Sequence, residues 1–482
     1  MPAFSLEPSQ TAQCAELRAL AEERLRPLAE KGEPGRVNRP LVAELGRLGL
    51  LERLFTSGAL DLCLMRESLA QACTEAETAL ALQGLGAHPV HAHGTPAQRE
   101  RWLPAVSEGS AVAAFALSEP GAGSDAAALG LRAEGEPGGS AGTPGARAEK
   151  DPAGRGAAEG SGAALREQAT ADSEAPEGRA GREPAWRGSR AAGGESAWQG
   201  APGSRAAGGE SAWQGAPGSR VGREPDSAAG ATAQPVAVAD GTSRWRLTGE
   251  KCWISNAPEA DFYTVFARTT PGAGARGVTA FLVPADRPGL TGTALDMLSP
   301  HPIGALAFDA VPVSADDVLG EVDRGFRVAM GTLNLFRPSV GAFAVGMAQA
   351  ALDATLAHTA RRDAFGGKLK DLQSVAHTVA EMALRTDAAR LMVYAAATAY
   401  DEGAPDVPKR AAMAKLLATE TAQYVVDTAV QLHGARAFQR GHLLEHLYRE
   451  VRAPRIYEGA SEVQRGIIAK ELYAPYANLE AV

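Results

Sequence analysis

The chain has 482 residues, with 48 basic against 57 acidic side chains, and its formal net charge is −9. This acidic balance argues against a partner such as nucleic acid, because a protein that binds phosphate backbones presents a basic face. Apolar residues make up 45% of the chain, which is ample for a large core. No apolar run reaches the ~18 residues that would indicate a membrane-spanning helix.

The cysteines and the first residues both indicate a reducing compartment. Cys14, Cys63, Cys73 and Cys252 form no CxxC pair, so we expect free thiols and no metal site. Residues 1–10 lack the basic, apolar and small-residue pattern of a secretory signal. The expectation is a cytoplasmic protein without membrane or nucleic-acid partners.

The N-terminal part of the chain has helical periodicity. Leu17, Leu20, Ala21 and Leu25 recur at the spacing of one helix face, and residues 37–54 and 61–85 continue the pattern. The sequence therefore predicts an N-terminal α-helical domain over residues 1–110.

Composition changes abruptly at residue 133. Residues 133–230 hold 22 of the 54 glycines, and they contain a perfect 15-residue repeat, Ser189–Gly203 and Ser204–Gly218. Such a segment has too little apolar surface to offset its ordering entropy, which predicts a disordered low-complexity insert in place of a hairpin tip. The alternative is that its regularly placed tryptophans dock on a partner.

Short apolar runs before and after the insert predict strands, at residues 111–117, 245–248, 262–267, 278–284 and 306–308. From Arg324 onward an Ala- and Leu-rich sequence returns to a period near 3.6. The predicted order is helices, a β unit that contains the insert, and helices again. This is an α+β fold, mostly α, with a middle β-domain at 111–323 and a helical C-terminal domain at 324–482.

The first motif that carries chemistry is FALSEPGAGSD, residues 115–125. Gly121 and Gly123 fit a GxGxxA dinucleotide fingerprint, but a Glu-Pro pair interrupts the transition from strand to helix and no βαβ unit follows. The segment offers instead a polar turn, in which the hydroxyls of Ser118 and Ser124 flank glycine amides that can hold a phosphate or the edge of a ring.

Two further motifs are ambiguous by themselves. In GEKCWISN, Trp253 stands beside the small hydroxyl of Ser255 and is either a core residue or a platform for a planar ligand. In RIYEGASEVQRG, Glu458 follows Tyr457 and precedes Gly459, which permits close approach to the backbone. Glu458 is either a solvated charge or a buried general base with a raised pKa.

Taken together, the motifs make the chain resemble the acyl-CoA dehydrogenase family. The matching segments, in family order, are HGTPAQRERWLP at 93–104, FALSEPGAGSD at 115–125, LTGEKCWISN at 247–256, RRDAFGGKLKDLQ at 361–373, QLHGARAF at 431–438 and RIYEGASEVQR at 455–465. The resemblance extends over essentially the whole chain apart from the insert. The resemblance implies a helical N-terminal domain, a middle β-domain, a C-terminal four-helix bundle and FAD as cofactor.

The resemblance also implies roles for individual residues. The cofactor-binding positions would be Phe115, Leu117, Ser118, Gly123, Ser124, Trp253, Ile254, Ser255, Arg362, Phe365, Gln373, Gln431, Leu432 and Gly434. Arg362 and the residues after it would act on the FAD of a neighbouring subunit, in a homotetramer or homodimer. The substrate-binding positions would be Ser124, Arg337, Tyr457 and Gly459.

The implied reaction is the α,β-dehydrogenation of an acyl-CoA to its trans-2-enoyl-CoA. Relatives carry the base either in the YEG motif or just before an arginine of the bundle. Here Phe336 precedes that arginine, Arg337, so the resemblance assigns the base to Glu458. Glu458 would take the α proton while the β hydrogen leaves as hydride to flavin N5, and electron-transfer flavoprotein would be the acceptor.

Several alternatives stay open. An acyl-CoA oxidase, a monooxygenase-like relative or a non-catalytic flavoprotein would share this fold. Arg337 contacts either the thioester end of the substrate or an acid on another helix. Pro338 predicts a kink or an early helix start at that position. Ala435, where glycine is frequent, predicts altered binding near the adenine because alanine tolerates positive φ poorly.

Overall fold

A computed structural model of the chain describes residues 6–135 and 243–476. The repeat and its tryptophans therefore lie outside the described residues, as does almost all of the predicted insert.

Helices dominate the N-terminal part of the described chain, as predicted. Their bounds are α1 (Pro8–Leu20), α2 (Arg26–Ala29), α3 (Arg39–Arg47), α4 (Arg53–Thr56), α5 (Ala59–Ala72), α6 (Thr74–His93) and α7 (Pro96–Ser107). A π-helical turn, Ala21–Leu25, joins α1 to α2. The start of α7 is encoded locally, because Thr95 and Gln98 cap each other's backbone amides and Pro96 occupies the first helical position.

The middle part folds as one sheet. Its strands are β1 (Ala113–Ala116), β2 (Arg132–Gly135), β3 (Ser243–Ser255), β4 (Phe262–Arg268), β5 (Val278–Pro284), β6 (Leu290–Ala294) and β7 (Ile303–Ser314). They are ordered β1-β4-β2-β3-β7-β6, and β5 pairs with β4. Although β4 and β2 separate β1 from β3 in this order, the sheet curls so that β1 and β3 contact each other, and the two sequence motifs that follow β1 and end β3 become neighbours.

The boundary of the predicted insert is three residues too early. Ala133–Gly135 belong to β2, and Ala133 is buried in the sheet's core. β2 pairs antiparallel with β3, with Gly135 opposite Trp245. The prediction failed here because Ala, Glu and Gly match the composition of the insert and give no strand signal, although their backbones complete the ladder.

The C-terminal part is the predicted helical bundle. Its elements are α8 (Gly325–Arg361), the two-residue strands β8 (Asp363–Ala364) and β9 (Gly367–Lys368), α9 (Gln373–Asp401), α10 (Val407–His433), α11 (Leu443–Glu450) and α12 (Ser461–Tyr473). Helices α8, α9 and α10 pack against one another, and α12 packs along α10.

The N-terminal and C-terminal helices share a hydrophobic core. Leu69 of α5, Met347 of α8 and Ala422 of α10 belong to the same buried cluster. Contact between α5 and α8 is close enough to require glycine, since a Cβ on Gly346 would lie 2.4 Å from the carbonyl oxygen of Glu67. The first and third sequence segments therefore share one hydrophobic core and do not each form their own.

Helix α8 is the central element of this core. Within residues 6–135 and 243–476, it alone is long and apolar enough to cross a membrane, and 72% of its most apolar window is buried inside the protein. It continues without interruption through Pro338, so the expectation that it would begin there is wrong. Pro338 is itself buried, where the surrounding packing offsets the backbone hydrogen bond that proline cannot make.

Candidate active site

Glu458 lies in a short loop between Arg455 and the start of α12. Glu458 has φ +53° and the next residue, Gly459, has φ +95°, so two consecutive residues adopt left-handed backbone conformations. A non-glycine residue in this region costs about 1–3 kcal/mol and persists only where its surroundings fix it. A Cβ at position 459 would also displace the side-chain amide of Gln464, whose Nε2 atom would lie 2.5 Å from it.

Three side chains from three helices fix this loop by binding its carbonyl groups. Nε of Arg337 on α8 donates to the Glu458 carbonyl oxygen at 3.1 Å. Nζ of Lys415 on α10 donates to the Gly459 carbonyl oxygen at 2.8 Å. Nε2 of Gln464 on α12 donates to both carbonyl oxygens, at 3.1 and 2.9 Å. The two peptide planes that follow the glutamate side chain, 458–459 and 459–460, are therefore held from outside the loop.

The carboxylate of Glu458, unlike its backbone carbonyl group, has an oxygen without a hydrogen-bond partner among the described residues. This oxygen, Oε2, is buried. Burial raises the pKa of Glu458, and the positive charges of Arg66, Lys415 and Arg337 oppose that rise. A desolvated carboxylate with a free oxygen is suited to accept a proton from a ligand.

A buried ion pair extends the polar cluster behind the loop. Nε of Arg66 on α5 donates to Glu77 of α6, and Nη1 of Arg66 donates to Oγ of Ser339 at 2.6 Å. Burial raises the pKa of Tyr457 well above its ordinary value, so the phenol stays neutral beside these charges.

The two motifs of the β-domain also meet. The amide nitrogen of Cys252 donates to the carbonyl oxygen of Ser118 at 3.0 Å. Below that contact, Nζ of Lys251 donates to Oε1 of Glu119 at 2.7 Å and to the carbonyl oxygen of Leu117 at 2.9 Å. Lys251 is fully buried, and this pair fixes the start of the polar turn against β3.

Trp253 is not a core residue, so that alternative is wrong. The side chain is 48% exposed and the backbone has φ +57°, at an irregularity of the β3–β7 pairing between Lys251 and Ile254. Ile254 is buried in the sheet's core, and Ser255, at the strand end, is half-buried. The irregularity presents a flat indole at the surface beside the Ser118 turn.

The polar turn itself is open. A Cβ on Gly121 or Gly123 would meet no heavy atom within 4 Å, and Ser124 is exposed. Only a short 3-10 turn, Ala126–Ala128, follows, which excludes the strand–turn–helix geometry of a dinucleotide fingerprint. Open glycines beside an exposed indole leave room for a planar ligand at the backbone.

Three predicted cofactor-binding residues have side chains engaged elsewhere. Leu117 and Ile254 are buried in hydrophobic cores, so any contact with a ligand would be made by their backbones. The ring of Phe115 packs on Phe266, with centroids 4.9 Å apart.

The remaining predicted cofactor residues form a second group, at the far end of α8 and α10. Arg362 directly follows α8, Phe365 is 90% exposed in the turn between β8 and β9, and Gln373 begins α9. Gln431 and Leu432 lie in the last turn of α10, and Gly434 follows it. Stacking of His358 on His433, with ring centroids 4.1 Å apart, joins the two helix ends. We call this group the distal patch.

The distal patch is remote from Glu458 in the same chain. Gln431 lies sixteen positions beyond Lys415 on α10, which is about 24 Å at the rise of an α-helix. On α8, Arg362 lies about 37 Å beyond Arg337 by the same measure. The contacts thus place the predicted residues in three groups: the Glu458 loop, the Ser118 turn with Trp253, and the distal patch.

The reason for the Ala435 expectation, a positive φ at that residue, is wrong, and altered binding near the adenine stays a prediction. Gly434 alone takes the positive φ, +64°, while Ala435 enters a 3-10 turn that runs from Gly434 to Phe438. Alanine is therefore in a conformation that it adopts readily. The interhelical acid proposed as one partner for Arg337 is also absent from the described residues, where Arg337 binds the Glu458 carbonyl group instead.

Sequence reasoning missed four residues of the polar cluster: Arg66, Glu77, Lys415 and Gln464. For Lys415 there was a usable signal, because it interrupts an apolar helix face formed by Ala411, Ala414 and Ala418. The place of each of these residues in the cluster depends on contacts with other helices or with the loop, which a single helix sequence does not reveal.

Models of three acyl-CoA dehydrogenase domains match the chain: the N-terminal domain over residues 7–110, the middle domain over 223–311 and the C-terminal domain over 323–473. Among curated relatives, the probable acyl-CoA dehydrogenase FadE25 of Mycobacterium tuberculosis is 38% identical over 253 residues, which are 52% of this chain and 64% of the relative. The human mitochondrial short-chain specific acyl-CoA dehydrogenase is 41% identical over 253 residues, 52% of this chain and 61% of the relative. The matched segments thus span less than two thirds of these relatives.

Among solved structures, butyryl-CoA dehydrogenase from Megasphaera elsdenii superposes with a TM-score of 0.70 at 26% identity, covering 97% of this chain and 99% of that one. The three domain models follow the order of the helical, β and helical segments and together match most of the chain. The chain therefore belongs to the acyl-CoA dehydrogenase family.

Proposed function

We propose that this protein is an FAD-dependent acyl-CoA dehydrogenase in which Glu458 removes the α proton of an acyl-CoA thioester. The observation that carries the proposal is the Glu458 carboxylate, whose Oε2 atom is buried without a partner while its backbone is fixed by Arg337, Lys415 and Gln464. In a member of this family, an unsatisfied buried carboxylate is best explained by a substrate that supplies the proton.

The residues of the β-domain fit a flavin. The exposed indole of Trp253 offers a platform, and the open glycines of the Ser118 turn let a ring approach the backbone. Ser118, Ser124 and Ser255 supply hydroxyls around this space, as the family resemblance implies. FAD, when bound, supplies the acceptor for the hydride that leaves the β carbon of the substrate.

The chain's own part in the reaction is to hold and move one proton. Oε2 of Glu458 takes the proton from the α carbon, so a C–H bond breaks as an O–H bond forms and the thioester gains enolate character. The cations Arg66, Arg337 and Lys415 stabilise the negative charge of the site throughout. Loss of the α proton and the β hydride leaves the trans-2-enoyl-CoA.

The distal patch completes the proposal with a second copy of the chain. Because Arg362, Phe365 and Gln431 lie remote from Glu458 and face solvent, we infer that they bind the nucleotide of FAD held by a neighbouring subunit. A homotetramer or homodimer would bring the distal patch of one chain to the FAD site of another. Electron-transfer flavoprotein is the acceptor that the family suggests.

The test is anaerobic reduction of the bound flavin. Purified holoenzyme is mixed with a panel of straight-chain, branched and cyclic acyl-CoAs, and the loss of the oxidised flavin's visible absorption is followed. We expect bleaching with at least one thioester and a product lighter by two hydrogens. Absence of bleaching across the panel would refute the proposal, whereas rapid reoxidation by oxygen alone would favour an oxidase.

A further inference from the structure

Lys415 is a fully buried lysine in the middle of α10. Its neighbours on the same helix face, Ala411, Ala414 and Ala418, are buried alanines. Among the described residues, no carboxylate oxygen lies within the 4.0 Å of an ion pair with its ammonium group. Burial of an unpaired charge costs several kcal/mol, so this lysine needs an explanation other than folding stability.

Its contact is the loop of the catalytic base. Nζ of Lys415 donates to the Gly459 carbonyl oxygen at 2.8 Å, and Arg337 does the same to the Glu458 carbonyl oxygen from the opposite helix. The two carbonyl groups belong to the two residues with left-handed backbones. A pair of cations on α8 and α10 therefore fixes both peptide planes of the strained segment.

The charge of Lys415 also acts on the carboxylate. The site holds three cations, of which Arg66 is neutralised by its own partner, Glu77. Arg337 and Lys415 thus face Glu458 with a net positive charge in a desolvated setting, where Coulomb interactions are stronger than in water. Removal of either charge would make ionisation of Glu458 less favourable.

We propose that Lys415 is a positioning residue for the reaction: its hydrogen bond fixes the Glu458–Gly459 loop, and its positive charge keeps the Glu458 carboxylate ionised and ready to accept a proton. This inference rests on the proposed function, since it assigns Lys415 a role toward the base named there. Lys415 itself touches neither substrate nor cofactor in this role.

The ionisation of Lys415 is itself balanced. Burial is the main cause that lowers the pKa of Lys415 to about 8. The negative charge of Glu458 opposes this lowering, and so do those of Glu420 on α10 and Glu462 on α12. The positive charge of Arg337 lowers the pKa further. The lysine is therefore mostly protonated at neutral pH and loses its charge as the pH rises through about 8. The supporting effect on Glu458 should fade over the same range.

Three substitutions separate the charge from the hydrogen bond. Lys415→Arg keeps the charge, Lys415→Gln keeps an N–H donor without the charge, and Lys415→Met removes both. The Gly459 carbonyl oxygen retains Gln464 as a donor in every variant, so we expect the loop to stay folded. Lys409→Met is the matched control, because Lys409 lies on the same helix and pairs with Asp406 away from the loop.

The decisive readout is the titration of Glu458 in the holoenzyme without substrate. Infrared spectra of protein labelled with ¹³C-glutamate, with the spectrum of Glu458→Gln subtracted, report this carboxyl group directly. We expect Lys415→Gln and Lys415→Met to raise the pKa of Glu458 by about one unit, a tenfold higher proton affinity. Lys415→Arg and Lys409→Met should titrate like the unmodified protein.

Flavin reduction by butyryl-CoA is followed in parallel as a function of pH. The acidic limb of the rate should move to higher pH in Lys415→Gln by the same amount and return in Lys415→Arg. An unchanged Glu458 titration in Lys415→Gln and Lys415→Met would overturn the inference, even if the rate fell. If no thioester bleaches the unmodified enzyme, the proposed function fails, while the infrared titration still decides the role of Lys415.

Discussion

The loop of Glu458 and the distal patch are built in opposite ways. The loop is half-buried, adopts a strained backbone and is held by Arg337, Lys415 and Gln464 from three helices of its own chain. In the distal patch, the side chain of Phe365 is 90% exposed. The turn at Gly434 is open, because a Cβ on this glycine would have no heavy atom within 4 Å. The first region is held by contacts within one chain, whereas the second is open to solvent.

This difference indicates a division of labour along α8 and α10. Under the proposed function, one end of each helix would support proton transfer, where small displacements matter and rigidity is favoured. The other end would offer its exposed groups to the FAD of another subunit. Substitutions in the two regions should therefore fail differently, by loss of chemistry in the loop and by loss of cofactor in the patch.

The largest expected effect is on the base. Glu458→Gln removes the proton acceptor but keeps the size of the side chain, so flavin reduction by acyl-CoA should slow by about 10²–10⁴-fold while FAD content is unchanged. Stopped-flow absorbance of the bound flavin measures the rate. Glu471→Gln, on the following helix, is the control and should behave as the unmodified enzyme.

A second large effect is expected at the buried pair under the Ser118 turn. Glu119→Gln leaves the ammonium group of Lys251 buried without its carboxylate, and the free energy of unfolding should fall by about 3–5 kcal/mol. Urea denaturation measures the loss, with exposed Glu250→Gln as control. Adding Lys251→Met to Glu119→Gln should recover much of it, and equal stability of the single and double variants would contradict the account.

The same lysine gives the protein a pH-dependent stability. Burial lowers the pKa of Lys251 to about 8 in the folded protein, against about 10.4 in an unfolded chain. The unfolded chain therefore binds more protons between these values, and the contribution of Lys251 to the free energy of unfolding rises as pH increases from about 8 to 10. Urea titrations across this range should show a steeper rise for the unmodified protein than for Glu119→Gln/Lys251→Met.

A smaller effect is expected in the distal patch. Arg362→Ala should weaken FAD retention by about 10–100-fold without altering the Glu458 loop, because it removes charge-assisted hydrogen bonds to the nucleotide. Its neighbour Arg361→Ala is the control. Dialysis against increasing salt, followed by flavin absorbance, compares the two.

The subunit assignment can be broken by mixing. Co-expressed Glu458→Gln and Arg362→Ala chains would form some sites that combine an intact Glu458 with an intact Arg362 from the other chain. Activity of the mixed oligomer should then exceed that of either variant alone. If both residues served the site of one chain, mixing would recover nothing.

The smallest effect is expected between β2 and β3. The pairing of Gly135 with Trp245 brings the ends of β2 and β3 together, so an Asn-Gly linker can replace residues 136–242 and close a short hairpin loop. The free energy of unfolding and the FAD content should change little, within about 1 kcal/mol for the former. Loss of folding would show that the removed segment packs on the rest of the protein.

Much of this molecule is predictable from sequence. The order of helices, strands and helices follows from hydrophobic periodicity, and the family and its fold follow from six ordered motifs. Thr95 and Gln98 indicate the start of α7, because their side chains can cap each other's backbone amides. β6, with the exposed sequence LTGTA, gave no signal because its place depends on pairing with β7 rather than on its own residues.

The candidate site is predictable only in part. Glu458 and Trp253 stand in recognisable motifs, whereas Lys415 and Arg66 lie in helices whose sequences carry no such pattern. Their importance arises from contacts between α5, α8, α10 and the loop, which local sequence does not encode. The functional roles of all these residues stay predictions until they are tested.

The most direct test of the central claim is exchange of the substrate's α hydrogen with solvent. Holoenzyme is incubated anaerobically in D₂O with a thioester that bleaches it, and deuterium at the α carbon of recovered acyl-CoA is measured by mass spectrometry. We expect the α hydrogen to exchange with solvent in the unmodified enzyme and not above background in Glu458→Gln, although both proteins bind FAD. Exchange at equal rates in the two proteins would show that another group removes the proton.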